Sequence, residues 1–274
     1  MGTRIGDYEL ISLVDTHGVI GQLAEVYPGV PAEAWDPYRD LYPDLFDGSR
    51  WRPPFGCFLL RSERDTVLID AGVGPPGGSF LPAAEGRLPS ALAEVGVEPD
   101  LIDVCVLTHL HIDHVGWAAT DGRPSWPQAR YVASHNDFNW VEGRDPLERD
   151  RVLRPLLPLL RAGSLSLIDG DAEVAPGIRM VPTPGHTPGH CSVQIESRGA
   201  RGIVLGDVAV HPALLDRPEW TYLFDVDPEA TIKTRREVLE NLEREDVVIA
   251  CGHYPGGIGS LAREESHTVW RPVV

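Results

Sequence analysis

Residues 108–114 read Thr108-His109-Leu110-His111-Ile112-Asp113-His114, which places three histidines and an aspartate within six residues. The segment follows the apolar run 104–107, which is typical of a strand. In an extended chain His109 and His111 point to the same side, and a turn after them directs Asp113 and His114 to a neighbouring position. Imidazole and carboxylate groups bind zinc, manganese and iron. This stretch therefore predicts ligands for two adjacent divalent cations.

Three further candidate ligands follow predicted strands elsewhere in the chain. His186 lies in Thr183-Pro184-Gly185-His186-Thr187-Pro188-Gly189-His190, Asp207 follows Gly206, and His253 follows Gly252. Glycine lets the backbone turn sharply beside each of them. Together with residues 108–114 they supply five histidines and two aspartates, enough for two metal ions with open positions.

Short apolar strands alternate with helices along the chain, which favours an α/β architecture. Strands are predicted at 8–14, 57–60, 66–70, 104–108, 130–133, 178–182, 192–196, 202–205, 247–250 and 268–270. Helices are predicted at 89–95, 137–143, 147–161 and 228–244. No long polar linker interrupts the pattern, so we expect one domain over residues 1–274.

Two stretches break this alternation. Residues 18–54 are rich in proline and carry six Trp, Tyr and Phe side chains, and residues 211–227 place aromatic residues among prolines and acids. Loops this long are usually lids or interface arms, so 18–54 is expected to be a lid or a dimerisation arm. Alternatively, the aromatic side chains simply anchor each loop to the core.

The ordered motifs THLHIDH, TPGHTPGH, GD and GH, with Leu68-Ile69-Asp70-Ala71-Gly72 before them, resemble the metallo-β-lactamase-fold hydrolases. The resemblance implies a four-layer αββα sandwich of two mixed sheets with helices on the outer faces. It further implies one metal on His109, His111 and His186, a second on Asp113, His114 and His253, and Asp207 bridging both. Asp70 would orient a ligand histidine, Asp113 or Asp207 would carry the proton to the leaving group, and His190 would be structural.

In detail the chain is similar to the methyl-parathion-hydrolase-like and lactonase-like branch. The similarity lies in residues 114–117, 206–212 and 220–227. Members of that branch hydrolyse lactones, esters or phosphotriesters. The resemblance makes the following residues candidates for the substrate pocket: Trp117, His211, Trp220, Tyr222 and Phe224. Autoinducer lactonases often carry a tyrosine three residues after the bridging aspartate; that position is Val210 here, and Tyr222 is a possible substitute.

The expected function is therefore a dinuclear-metal hydrolase that acts on a small apolar lactone or ester, with phosphotriester hydrolysis as a side activity. Zinc is the favoured metal, with manganese or iron as alternatives. A glyoxalase II-like thioesterase and a mononuclear iron sulfur dioxygenase stay open. The thioesterase is disfavoured because only 21 residues (274 − 253) follow His253, where that group adds a helical domain. A pure binding protein would need a broken ligand set, and all seven positions are intact.

Composition narrows the partners. The formal net charge is −17 (24 basic and 41 acidic residues), which disfavours a nucleic-acid partner. No run of apolar residues is long enough for a transmembrane helix, and no secretory signal is visible, so a cytoplasmic location is expected. Near the ligands in sequence the basic residues are Arg123, Arg179 and Arg217, with no cluster among them. The expected partner is a neutral small-molecule substrate, with homodimerisation possible.

Overall fold

Two seven-stranded sheets stand at the centre of the structure and pack face to face. The computed structural model describes residues 2–76, 85–242, 247–264 and 267–273. Alternate side chains of each strand point to opposite faces. Val67 and Ile69 thus lie between the sheets, where they join Val193 and Ile195 of the second sheet. Leu68 points outward to the helices instead.

Both sheets mix parallel and antiparallel pairs. The first sheet has the spatial order Thr3–Ile5, Tyr8–His17, Pro54–Arg61, Thr66–Ile69, Val104–Val106, Arg130–Ser134, Leu165–Ile168. The second has the order Ala172–Ala175, Ile178–Pro182, Cys191–Ser197, Ala200–Val204, Val248–Ala250, Ile258–Glu264, His267–Pro272. A small hairpin pairs Ala119–Thr120 with Arg123–Pro124. The expected αββα sandwich is confirmed by these two sheets and the outer layers described next.

Regular helices cover the outer face of the first sheet: Leu88–Glu94, His135–Glu142 and Pro146–Ala162. In the longest of them Val152, Leu156 and Leu159 recur at helical spacing and face the sheet. Asp145 caps its start by accepting a hydrogen bond from the Leu147 N–H at 3.0 Å, and Gly163 ends it in the left-handed conformation. Local signals in the sequence are enough to specify this layer.

The outer face of the second sheet has a different cover. The Pro228–Leu242 helix, the short Ala213–Asp216 helix and residues 18–54 form it. Within 18–54 lie helices Leu23–Val26 and Asp36–Leu41, 3₁₀ helices Ala32–Trp35 and Pro43–Leu45, and a small sheet of Gly21–Gln22, Arg50–Trp51 and Phe46–Asp47. Its buried aromatic residues, among them Tyr27, Trp35 and Trp51, pack onto this sheet, which confirms the anchoring interpretation. The lid or dimerisation role stays a prediction.

All ten predicted strands and all four predicted helices are present, with ends that shift by a few residues. The last turn of the predicted helix 228–244 reaches beyond residue 242, outside the described residues. Several strands were not predicted, for example Thr3–Ile5, Leu165–Ile168 and Ile258–Glu264, because they are short or interrupted by polar residues. It also left out the Pro99–Leu101 3₁₀ helix. Within the part of the chain that the structure describes, no helix is long and apolar enough to cross a membrane.

Candidate metal centre

Seven candidate ligands meet at one edge of the sandwich, where strands of both sheets end. His109 and His111 follow the Val104–Val106 strand, and the Ile112–Val115 helix carries Asp113 and His114. The other three follow strands of the second sheet: His186 after Ile178–Pro182, Asp207 after Ala200–Val204 and His253 after Val248–Ala250. Each half of the chain therefore contributes loops to one shared site.

A first group consists of His109, His111 and His186. The Nδ1 atom of His111 lies 3.0 Å from His109 Nε2 and 2.9 Å from His186 Nε2. Burial lowers the pKa of His109 far below its usual value and lowers that of His111 to about 3, so both rings are neutral with free lone pairs. Three ring nitrogens directed at one another in this way are suited to a shared cation.

A second group consists of Asp113, His114 and His253. The Oδ2 atom of Asp113 lies 3.5 Å from His114 Nε2 and 3.7 Å from His253 Nε2. His114 Nε2 is buried, and no hydrogen-bond partner for it exists among the described residues. Burial lowers the pKa of His114, but the carboxylates of Asp207, Asp70 and Asp113 outweigh it and raise the pKa well above its usual value. An orphaned buried nitrogen beside carboxylates fits a divalent cation.

Asp207 lies between the two groups and offers one oxygen to each. Its Oδ2 atom is 3.2 Å from His186 Nε2 and 3.8 Å from His109 Nε2. Its Oδ1 atom is 3.5 Å from the Nε2 atoms of both His114 and His253. The residues present thus fit two divalent cations with one carboxylate between them.

Asp70 orients His114 by binding the ring nitrogen that faces away from the other candidate ligands. Its Oδ2 atom accepts a hydrogen bond from His114 Nδ1 at 2.8 Å, and its Oδ1 atom accepts one from the Thr108 N–H at 2.8 Å. Asp70 has a φ of +64°, a left-handed conformation that is costly except for glycine, asparagine and aspartate. A carboxylate on the far nitrogen of a histidine fixes the ring and frees the near nitrogen for a metal.

Asp225 orients His186 as Asp70 orients His114, and the sequence patterns did not predict this role. Its Oδ1 atom lies 2.9 Å from His186 Nδ1, and its Oδ2 atom lies 3.7 Å from Nη2 of Arg235. Arg235 is fully buried and donates to the carbonyls of Val208, Pro218 and Trp220. The acidic composition of residues 211–227 hinted at a role, but gave no spacing that singled out Asp225.

His190 lies outside both groups. Its Nε2 atom accepts a hydrogen bond from the Asp207 N–H at 2.8 Å, and its Nδ1 atom lies 3.1 Å from the Thr183 carbonyl oxygen. Burial lowers its pKa to about 3, so the ring stays neutral. His190 therefore fixes the turn that carries Asp207, a structural role.

A cleft of about 340 Å³ opens onto the candidate ligands. Of the five pocket candidates, Tyr222 and Phe224 line it. The Tyr222 ring stacks on His186 with centroids 5.9 Å apart. Burial, and then the charges of neighbouring groups including Asp207 and Asp113, raise the pKa of Tyr222 far above its usual value. Tyr222 is thus a neutral phenol close to both carboxylates.

The other three pocket candidates lie elsewhere, which corrects the sequence-based expectation. Trp117 is buried under the first sheet, and its indole N–H donates to Asp15 at 3.1 Å. His211 points into the aromatic cover, 5.1 Å from the Trp35 ring, and its Nδ1 accepts from the Ala213 N–H at 3.0 Å. Trp220 packs against Trp35 with centroids 5.0 Å apart. None of these three side chains lines the cleft.

The basic residues at the cleft are not the ones that lie near the ligands in sequence: Arg123, Arg179 and Arg217 do not line it. Arg144, Glu148 and Arg151 line the cleft together with Tyr222 and Phe224. The Arg144 guanidinium lies 4.4 Å from the centre of the Trp140 ring, and Trp140 is 5.7 Å from His111. Arg144 also donates to Glu148 at 3.0 Å. The start of the Pro146–Ala162 helix lies beside the ligands in the structure, although it follows His114 by some thirty residues in the sequence.

Known proteins are similar to this chain in sequence and in fold. An N-acyl homoserine lactonase of Bacillus thuringiensis is 26% identical over 224 residues, which cover 76% of this chain and 84% of that protein. A hydrolase in the beta lactamase superfamily, AbOPH, superimposes with a TM-score of 0.87 at 24% identity and covers 100% of this chain and 97% of that one. AidC, described as a dizinc quorum-quenching lactonase, superimposes with a TM-score of 0.86 at 19% identity and covers the same shares.

The match to a known family extends over most of the chain. Residues 57–253 match the metallo-beta-lactamase superfamily. This range begins in the Pro54–Arg61 strand and ends on His253, so it contains all seven candidate ligands. The fold seen in the two structural neighbours is the αββα sandwich found here. The chain belongs to the metallo-β-lactamase superfamily.

Proposed function

We propose that this protein is a dinuclear zinc hydrolase that opens a small, largely apolar lactone. The observation that carries the proposal is the position of Asp207, whose two oxygens face two separate ligand groups. His109, His111 and His186 would hold one cation, and Asp113, His114 and His253 the other. Asp207 would touch both.

Two such cations supply an acidified water and a polarised carbonyl oxygen. The chain's own residues do the rest. Asp70 and Asp225 fix the rings of His114 and His186 in the orientation that frees their near nitrogens. Asp113 and Asp207 are the carboxylates at the centre of the site, and either can accept a proton from the attacking water and pass it to the leaving alkoxide.

Tyr222 is proposed to donate a hydrogen bond to the substrate's carbonyl oxygen. It is a neutral phenol in the cleft wall, so its O–H is available as a donor. As charge develops on that oxygen in the transition state, the hydrogen bond strengthens. Tyr222 would thus substitute for the tyrosine that autoinducer lactonases often carry three residues after the bridging aspartate.

The proposed substrate is an N-acyl homoserine lactone or a similar small lactone. Relatives that carry the name N-acyl homoserine lactonase support this class. Apolar side chains of the cleft include Ile20, Ile112, Val152 and Phe224, which suit an aliphatic substituent. Simple esters fit the same chemistry, and phosphotriester hydrolysis is proposed as a side activity.

Residues 18–54 are proposed to form a wall of this cleft. Ile20 lines it, and the Trp51 ring packs 6.0 Å from His253 and 5.6 Å from Tyr222. A role as a dimerisation arm is the alternative, which light scattering of the intact protein decides. A monomer would leave the cleft wall as the proposed role.

The proposal is tested with a metal-replete panel of substrates. It contains N-acyl homoserine lactones of several chain lengths, an aryl ester, a phosphotriester, a glutathione thioester and a glutathione persulfide. We expect the lactones to be turned over most efficiently, and elemental analysis to find two zinc ions per chain. His253→Ala serves as the control, because it removes a ligand of the second group.

Two results would contradict the proposal. Efficient turnover of the thioester alone would favour the glyoxalase II-like alternative. Consumption of oxygen with the persulfide, together with one iron per chain, would favour the sulfur dioxygenase.

A further inference from the structure

Asp137 is a fully buried carboxylate that the proposed chemistry does not use. It lies in the first turn of the His135–Glu142 helix, under the metal centre. It accepts three hydrogen bonds: from the Leu110 N–H at 2.8 Å, from the Thr187 hydroxyl at 2.9 Å and from the Gly189 N–H at 2.6 Å. All three donors belong to loops that carry candidate ligands.

These loops come from opposite sheets. Leu110 lies between His109 and His111, and Thr187 directly follows His186. One carboxylate therefore ties together the backbone segments of all three members of the first group. A single oxygen of Asp137, Oδ2, accepts from both loops, so Asp137 helps to fix the distance between them.

Gly189 shows how closely the second loop approaches. A Cβ atom at this position would lie 2.4 Å from the Asp137 backbone nitrogen and 2.4 Å from the Ser134 hydroxyl oxygen. Only glycine fits at such a distance. The second glycine of the TPGHTPGH motif is therefore required because the loop packs directly against the start of the helix that carries Asp137.

The second group is held by other contacts. Asp70 binds His114 Nδ1, and the Pro54 carbonyl oxygen accepts from His253 Nδ1 at 2.9 Å. Neither contact involves Asp137. A change at Asp137 is thus expected to reach the two groups unequally.

We propose that Asp137 is a positioning residue that sets the metal affinity of the group His109, His111 and His186, and not that of the second group. The inference rests on the proposed ligand set. In Asp137→Asn, the amide NH₂ would face N–H or O–H donors, which leaves at least one buried donor without an acceptor and lets the loops separate. Loss of such outer partners of metal ligands typically lowers metal affinity about 10- to 100-fold.

The test is a zinc titration of the metal-free protein against a chromophoric chelator. Wild type is expected to bind two zinc ions tightly. Asp137→Asn is expected to bind one with wild-type affinity and the other about 10- to 100-fold more weakly. His253→Ala should keep one tight ion, and the double variant Asp137→Asn/His253→Ala should keep none, which assigns the weakened site.

Asp15→Asn is the matched control. Asp15 is also fully buried and accepts from the Val73 and Leu88 N–H groups and from the Trp117 indole N–H. None of its side-chain hydrogen bonds to described residues reaches residues 108–111 or 183–190. Asp15→Asn removes the same charge as Asp137→Asn, and this variant should still bind two zinc ions with wild-type affinity. If Asp137→Asn does not fold, as judged by thermal unfolding of the metal-free protein, Thr187→Val removes only one of the three hydrogen bonds. It should weaken the same ion about fivefold.

The outcomes separate the inference from the proposed function. Wild type with two ions and Asp137→Asn with unchanged affinities would refute the positioning role alone, as would equal weakening of both ions. Wild type that binds no zinc would refute the proposed ligand set and the inference with it.

Discussion

The two halves of this molecule cover their sheets by different means. The first sheet lies under regular helices whose apolar residues recur at helical spacing, such as Val152, Leu156 and Leu159. The second sheet lies under short helices and aromatic residues. Hydrogen bonds of polar side chains attach these elements to the rest of the fold. Tyr38, for example, donates to Asp216 at 2.7 Å, and the Tyr42 hydroxyl accepts from the Trp270 N–H at 2.8 Å. Periodic packing specifies the first cover, and long-range hydrogen bonds specify the second.

The largest effect on activity is expected at Asp207, where the ligand groups of the two halves meet. Asp207→Ala removes the side chain that contacts both ligand groups. We expect the loss of at least one zinc ion and a decrease in kcat/KM of about a thousandfold or more, beyond the effect of losing a single oxyanion-hole donor. Elemental analysis and lactone kinetics measure both. A variant with two ions and near-native turnover would show that the halves hold their ions independently.

Arg235 tests the polar fastening of the second half. Arg235→Met leaves Asp225 and three carbonyl oxygens without their buried partner, and should lower the free energy of unfolding by about 3–5 kcal/mol. Arg149→Met on the first cover breaks only an exposed ion pair with Asp150 and should cost less than about 0.5 kcal/mol. Urea denaturation of the metal-free proteins compares them. Equal costs would remove the distinction between the two covers.

The Tyr222→Phe variant tests whether the second half also contributes a hydrogen-bond donor to the reaction. Tyr222→Phe keeps the ring on His186 but removes the hydroxyl, so kcat should fall about 100-fold while KM changes little. Tyr42→Phe removes a hydroxyl remote from the cleft and serves as the control. A Tyr222→Phe enzyme with unchanged kcat would limit Tyr222 to packing.

Asp216 tests the attachment of residues 18–54 through its pH dependence. Burial raises the pKa of Asp216, but hydrogen bonds from His267 and Tyr38 outweigh it and hold the pKa below its usual value. A lowered pKa stabilises the fold above the unfolded-state pKa, and this stability is lost as the pH falls through the folded-state value. Asp216→Asn should cost about 1–2 kcal/mol at neutral pH, and the difference from wild type should shrink below about pH 4. A difference that stays constant with pH would mean that the charge of Asp216 is not what secures the segment.

The smallest effect is expected on the charged wall contributed by the first half. Arg151 is exposed and lines the cleft, so Arg151→Gln should change kcat/KM for a neutral lactone by less than about twofold. Steady-state kinetics at two salt concentrations measure it. A tenfold loss would show that the substrate presents a polar group to this wall.

The sequence predicts the ligand cluster well because its signals are local. His109, His111, Asp113 and His114 share one loop, and His186, Asp207 and His253 each follow an apolar strand beside glycine. The alternation of strands and helices predicts an α/β architecture, and the resemblance carried by the ordered motifs implies the αββα sandwich.

The rest depends on contacts between distant segments. Asp225 and Asp137 are single acids without distinctive spacing, and Asp137 meets Gly189 across 52 residues. Aromatic residues such as Trp117 and Trp220 carry no sign of the direction in which they point. Arg144 and Arg151 reach the cleft only because the Pro146–Ala162 helix packs beside it.

The contact between His253 and the Pro54 carbonyl spans 199 residues of sequence. During synthesis the N-terminal part of a chain leaves the ribosome while later residues are still being added. Here the nascent chain can display His109, His111, Asp113 and His114 long before Asp207 and His253 leave the ribosome. The incomplete cluster can bind cations only with fewer ligands. On the proposed ligand set, both metal sites are complete only after the strand before His253 has paired with its neighbours, so we expect incorporation of the ions to be a late step in folding.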